Sequence, residues 1–151
     1  MATITASAAQ SVVPARFNTP GVMQSVSRYS SSATLAAADI VQMIKVPAGA
    51  VIHDILLRVE SVMNTGTGAP AIALGNGDTD DLFASAGLAS AAATMRMTEK
   101  FGYEFSAEDT IDLTYRGGTG GADTAQTVFN MSVLYSCNIP SHIGGEGTSE
   151  A

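Results

Sequence analysis

Short apolar runs alternate with polar positions from residue 40 to residue 135, and glycine-rich turns separate them. The clearest case is the last run, in which Phe129, Met131, Val133 and Tyr135 alternate with Asn130, Ser132 and Leu134. An apolar period near two is typical of a strand with one buried face. The pattern therefore predicts a chain built of β-strands, with the odd-numbered residues of this last strand facing inward.

Seven or eight such segments follow one another at a spacing of roughly ten residues, which is typical of an antiparallel β-sandwich or jelly roll. They cover residues 21–29, 40–46, 51–59, 70–74, 94–100, 101–105, 110–115 and 126–137. In 110–115 we expect Ile111, Leu113 and Tyr115 to face inward and Asp112 and Thr114 to face outward. The fold class predicted from the sequence is all-β.

The segments 40–46 and 51–59 are joined by a turn at 47–50, in which proline fixes φ and glycine tolerates positive φ. The inward positions predicted from the alternation are Ile40, Ile44, Val46, Val51, Ile55, Leu57 and Val59. Two arrangements are open here. The two strands form a hairpin in one sheet, or they cross between the two sheets of a sandwich.

One region has helical character. Residues 81–93 combine Leu82, Phe83 and Leu88 with alanine and serine, and Asp80 or Asp81 is placed to cap a first turn. Gly87 weakens a helix at this point, so we expect one or two turns.

The termini differ from the strand-rich part. Residues 1–20 are rich in Ala, Ser and Thr and show no period, which predicts an extended N-terminal arm. The arm either lies on a neighbouring subunit or is a frayed end. We expect the β-sandwich domain to occupy residues 21–138, and the polar segment 139–151 to form a flexible C-terminal tail.

Charged residues make up only 14% of the 151-residue chain, against about 25% in ordinary soluble domains. Hydrophobic residues make up 46%. A surface with so few charges suits a protein that is covered by copies of itself or by a larger host. The single Cys137 cannot form an internal disulfide, and as a small hydrophobe at a strand end it suits assembly in a reducing cytoplasm.

The formal net charge of −7 argues against binding to nucleic acid or to anionic membranes, because both need a basic surface. The first residues lack the basic and apolar regions of a signal peptide, and no apolar stretch reaches membrane-spanning length. From the sequence we expect neither export nor a membrane partner.

Candidate catalytic groups are few. His53 lies inside a predicted strand, where its neighbour Asp54 points to the other face, and His142 lies in the tail. No nucleophile motif and no phosphate loop with its lysine is present. We therefore expect no catalytic residue, no cofactor and no enzyme activity. The one weak metal candidate is the turn with Asp78, Asp80 and Asp81, whose oxygens suit Ca²⁺ but lack the distal glutamate of an EF-hand.

Several turn-and-strand motifs in residues 40–137 carry a family resemblance. They are the Pro-Ala-Gly turn at 47–49, the Leu-Gly-Asn-Gly-Asp turn at 74–78, the strand at 110–114, the Gly/Thr loop and the closing strand. In these motifs the chain resembles small accessory virion proteins of tailed bacteriophages, in particular capsid decoration or cement proteins. The resemblance implies a jelly roll on the outer surface of a capsid, often a homotrimer, that bridges and stabilises major capsid protein subunits. It implies assembly in the host cytoplasm and no catalytic residues.

Two alternatives stay open at this stage. The same pattern resembles phage tail and head-fibre components. A carbohydrate-binding β-sandwich is the other alternative, but such modules present exposed aromatic rings, and this chain has no Trp. Of its aromatic residues, Tyr29 and Tyr103 are the ones we expect to be exposed.

Overall fold

The computed structural model describes residues 3–5, 21–31, 35–36, 38–60, 71–88, 93–116 and 127–137. Nine strands lie in these ranges: β1 (Thr3–Thr5), β2 (Met23–Ser31), β3 (Ile40–Val46), β4 (Ala50–Val59), β5 (Ala71–Asn76), β6 (Ala84–Leu88), β7 (Thr94–Arg96), β8 (Asp109–Tyr115) and β9 (Thr127–Cys137). No helix occurs in the described ranges, so the all-β prediction is confirmed.

The strands form two sheets. One has five strands in the order β1-β3-β8-β5-β6, and the other has four in the order β2-β9-β4-β7. Without β1, the two orders are those of an eight-stranded jelly roll. All pairs are antiparallel except β1 with β3, in which Thr3–Thr5 runs parallel to 40–42.

The core lies between the sheets and consists of the inward residues of both. Ile111, Leu113 and Tyr115 of β8 face it as predicted, and so do Phe129, Met131, Val133 and Tyr135 of β9. Aromatic rings fill one end, where Phe83, Tyr103 and Phe105 pack with ring centroids 5.1–6.2 Å apart. Tyr29 stacks on Phe129 at 6.0 Å.

The strands β3 and β4 do not form a hairpin. They lie in different sheets, so the turn at 47–49 is a corner of the sandwich, with Gly49 at a φ of 78°. Of the two arrangements left open by the sequence, the crossing between sheets is the one observed.

Two β-bulges change which residues face inward. One lies between Gln42 and Ile44, and the other between Ile52 and Asp54. The core therefore contains Val41, Met43 and Ile52, while Ile40 and Val51 are only half-buried. The prediction that Ile40 and Val51 face the core was wrong, because a bulge adds one residue and reverses the alternation.

The prediction of a helical segment at 81–93 was also wrong for residues 81–88, whereas residues 89–92 lie outside the described residues. Residues 81–83 lie in a turn and residues 84–88 form β6, which pairs with β5. Phe83 is fully buried and its backbone N–H donates to the carbonyl of Leu74. Pairing with β5 outweighs the weak helical preference of a segment that contains Gly87.

Of the predicted arm, residues 3–5 are described and pair with β3 as β1, so this part lies on the chain's own sheet. The remainder of the arm and the predicted tail at 139–151 lie outside the described residues. The domain boundaries drawn from the sequence stay a prediction.

Candidate assembly surfaces

The outer face of the four-stranded sheet carries three of the chain's seven basic residues: Arg28, Arg58 and Arg96. The strand register places them together, since Arg28 and Arg58 both pair with Asn130 of β9, and Arg96 is opposite Leu56. We call this outer face of β2, β9, β4 and β7 the arginine face.

Exposed apolar side chains gather on the same surface. Val26 is 62% exposed and Leu56 is 39% exposed, and both pair with Ser132 of β9. Val22, just before β2, and Phe101 are the other large hydrophobic side chains exposed in the described part of the chain. A cluster of apolar side chains with a polar rim is typical of a protein interaction surface.

Two acids neutralise part of the arginine face. Arg28 pairs with Glu60 at 3.4 Å, and Arg96 pairs with Asp54. Arg58 is exposed and has no ion pair within the described ranges. Its guanidinium group is therefore available to a partner.

A shallow depression of about 430 Å³ borders this face and is lined by His53, Asp54, Arg96, Met97 and Phe101. Phe101 sits in a tight turn between Lys100 at a φ of 59° and Gly102 at a φ of 80°. The N–H of Gly102 donates to the carbonyl of Ile52 at 2.8 Å and fixes the turn on β4. The turn thus holds an apolar ring in solvent beside the arginine face.

A second hollow, of about 270 Å³, has acidic walls. It is lined by Asn76, Asp78, Tyr103, Phe105, Ser106, Ala107, Glu108 and Asp109. Lys45 pairs with Glu108 at 2.5 Å, and Asp109 accepts the N–H of Thr110 at 2.7 Å. We call this hollow the acidic hollow. Its charge is opposite to that of the arginine face.

Asp112 lies near the acidic hollow and is only 2% exposed. Burial raises its pKa to about 7; the Thr110 side chain lowers the pKa, and the charges of Asp109 and Asp80 raise it. Its Oδ1 has no hydrogen-bond partner in the described part of the molecule. As the sequence predicts, Asp112 and Thr114 point away from the core between the sheets. Both side chains are nevertheless buried.

The turn 76–80 explains the burial of Asp112. Gly75 is opposite Asp112 in the register, so both positions face the same side of the sheet. A Cβ at Gly75 would lie 2.0 Å from the carbonyl oxygen of Thr79, so the backbone of 79–80 covers this side of the sheet.

The residues singled out from the sequence are not brought together. Asp81 pairs with Arg116 at 3.1 Å, whereas Asp78 lines the acidic hollow. No three His, Cys, Asp or Glu side chains of the described residues are placed to hold a metal ion. The sequence prediction missed Asp109 and Asp112, because strand pairing brings them to the 76–80 turn from far along the chain.

His53 lies in β4 and Cys137 at the end of β9. His53 Nε2 is 2.8 Å from the hydroxyl of Ser136, and His142 lies outside the described residues. Cys137 is half-buried, and burial raises the pKa of its thiol, which disfavours the reactive thiolate. Tyr29 is buried and Tyr103 half-buried, so the expectation that these two rings are exposed was wrong. Within the described ranges, the exposed aromatic ring is that of Phe101.

In the described ranges, no helix is long and apolar enough to cross a membrane. No protein-family model and no curated protein matches the chain in sequence.

Three solved structures share the fold. A chain in the capsid of Ralstonia phage GP4 superposes with a TM-score of 0.69 at 18% identity, covering 90% of this chain and 98% of that one. A chain in the capsid asymmetric unit of cyanophage Pam1 superposes with a TM-score of 0.67 at 15% identity, covering 85% of this chain and 94% of that one. A chain in the acid-stable capsid of Helicobacter pylori bacteriophage KHP30 superposes with a TM-score of 0.52 at 14% identity, covering 78% of this chain and 93% of that one. These likenesses establish a common jelly-roll fold.

Proposed function

We propose that this chain is a structural virion protein of a tailed bacteriophage, located on the outer surface of the capsid. There it acts as a decoration or cement protein that bridges major capsid protein subunits. The observation that carries the proposal is the arginine face, where the exposed Val26 and Leu56 lie among three arginines. Such a surface favours docking to other proteins.

The fold likenesses support the same role. The capsid chains that superpose on this one are covered over 93–98% of their length, so they are chains of similar size and not larger proteins with one similar domain. In the cement role, each subunit of a homotrimer contacts the shell weakly, and the three contacts together bind the trimer firmly through multivalency. The role requires no catalysis, cofactor or nucleic-acid contact.

The test is reconstitution on capsids of the phage that carries this chain. Particles stripped of the protein are mixed with the purified full-length chain, and the temperature of DNA release is measured. We expect the added chain to co-sediment with the shells and to raise this temperature. Shells that bind none of the chain, or that bind it without gaining stability, would refute the cement role.

A tail or head-fibre location is the second candidate, since a fold does not by itself determine where a protein functions. It predicts that antibody labels on intact particles mark the tail or fibres and leave the shell bare. A carbohydrate-binding role is favoured only by the exposed ring of Phe101 beside Asp54 and Arg96. A glycan array on which the chain binds no glycan would exclude this role.

A further inference from the structure

The charges of this molecule are unevenly divided between its surfaces. The arginine face carries three arginines and two acids. The rest of the described chain has nine acidic side chains, Asp39, Asp78, Asp80, Asp81, Glu99, Glu104, Glu108, Asp109 and Asp112, and three basic ones, Lys45, Lys100 and Arg116. The molecule itself therefore carries acidic surface whose charge complements that of the arginine face.

We propose that the arginine face of one copy of this chain docks on the acidic hollow of a second copy. The proposal deepens the assembly role given above, and it rests on that role for its biological setting. It names the partner as a second copy of the chain, and it names the contact as one between two different surfaces.

Arg58 is the side chain that best fits the hollow. It is exposed and has no ion pair in the described part of the chain, whereas Arg28 and Arg96 each have one. Asp78 and Asp109 in the hollow offer carboxylates, and the half-buried Tyr103 offers an aromatic ring. A planar guanidinium group binds both kinds of partner, by paired hydrogen bonds and by stacking.

Negative charge in this region is in excess. The carboxylates of Asp109 and Asp80 both disfavour ionisation of the buried Asp112, and Lys45 is the single basic side chain paired to the hollow's lining in the described chain. A guanidinium group from outside would relieve this repulsion. The exposed Val26 and Leu56 would be covered by the same contact.

A contact between two unlike surfaces is heterologous and either closes into a ring or runs into a filament. A two-fold dimer does not need such a contact, but a three-fold ring does. The pair of surfaces thus provides the head-to-tail contact that the proposed trimer requires.

The test is sedimentation velocity on the full-length chain and three variants. We expect the unmodified protein to form oligomers at micromolar concentration in about 50 mM NaCl and to dissociate in about 500 mM, because salt screens the contact. Arg58→Glu and Asp78→Arg each place like charges together and weaken association by more than about tenfold. The double variant Arg58→Glu/Asp78→Arg reverses the pair and regains oligomers.

The control is Arg116→Glu, which changes the net charge as much as Arg58→Glu does but lies at the end of β8, and it should leave the oligomer intact. The proposal is overturned if the unmodified chain is a monomer, if Arg58→Glu associates normally, or if the double variant stays dissociated. Capsid binding by the same variants separates the two proposals. If the unmodified protein forms oligomers that do not bind shells, the cement role alone is refuted. If Arg58→Glu still forms oligomers but no longer binds shells, the arginine face contacts the shell and not a second copy.

Discussion

The carboxyl group of Asp112 is buried on the outer side of the five-stranded sheet, under the turn that crosses Gly75. Its pKa is raised from 3.8 to about 7, chiefly because burial disfavours the charged form. In the folded state the group therefore keeps a proton that the unfolded chain releases near pH 4. By linkage, this group's contribution to stability is complete below pH 4 and is lost as the pH rises to about 7.

We expect Asp112→Asn to remove this pH dependence, because an amide does not ionise. The free energy of unfolding of the unmodified protein should fall by roughly 2–3 kcal/mol between pH 5 and pH 8. That of Asp112→Asn should change much less over the same range. Urea titrations at both pH values measure the difference. Equal pH slopes for the two proteins would assign the dependence to other groups.

Gly75 allows the 76–80 turn to cross the sheet, and a methyl group there would clash with backbone. We expect Gly75→Ala to lower the free energy of unfolding by roughly 2–3 kcal/mol, as overpacking does in cores. Gly21→Ala is the matched control, since a Cβ at Gly21 meets no atom within 4 Å. Urea denaturation of both variants checks this, and a Gly75→Ala protein as stable as the control would contradict the close approach.

At the scale of strands, β1 covers the edge of β3 with three residues. Deleting residues 1–20 should leave a folded domain, because the pairs β2–β9, β3–β8 and β4–β9 remain. It should also expose the β3 edge, which is a site for pairing with other chains. We expect the truncated chain to melt cooperatively but to bind capsids more weakly than the full chain. Equal binding by both proteins would exclude a role for the arm on the shell.

The sequence predicts strands well where one face is continuously buried. The inward sides of β8 and β9 follow directly from their alternation, as Leu113 and Met131 illustrate. It does not predict the bulges in β3 and β4, because the extra residue is placed by pairing with strands far along the chain. For a related reason the sequence wrongly predicts a helix at β6: its alanines and glycine have no strong preference for a strand, and pairing with β5 determines its structure.

The candidate surfaces are less accessible to sequence reasoning than the fold. Arg28, Arg58 and Arg96 are far apart in the chain, so their common face appears only once β2, β4 and β7 are assembled around β9. The low charge density predicts a protein that assembles with others, but it does not predict which surface makes the contact. Of the acidic residues, the sequence pointed to the turn at 78–81 and missed the neighbouring end of β8.

At the scale of the whole molecule, the two sheets are held by a core that includes Phe129, which is fully buried and stacked on Tyr29. Phe129→Ala should cost roughly 3–5 kcal/mol of unfolding free energy. Phe101→Ala should cost almost nothing, since that ring is 62% exposed. Thermal melts of the two variants distinguish them, and a large loss for Phe101→Ala would mean that the ring is part of the core.

The central claim is that this jelly roll is an outer component of a phage shell. Electron cryomicroscopy of purified particles of the phage that carries the chain tests it most directly. We predict density for the two-sheet sandwich on the outside of the shell, above the junctions between capsid subunits. Particles in which that density is absent from the shell, or in which the chain is found only in the tail, would contradict the account.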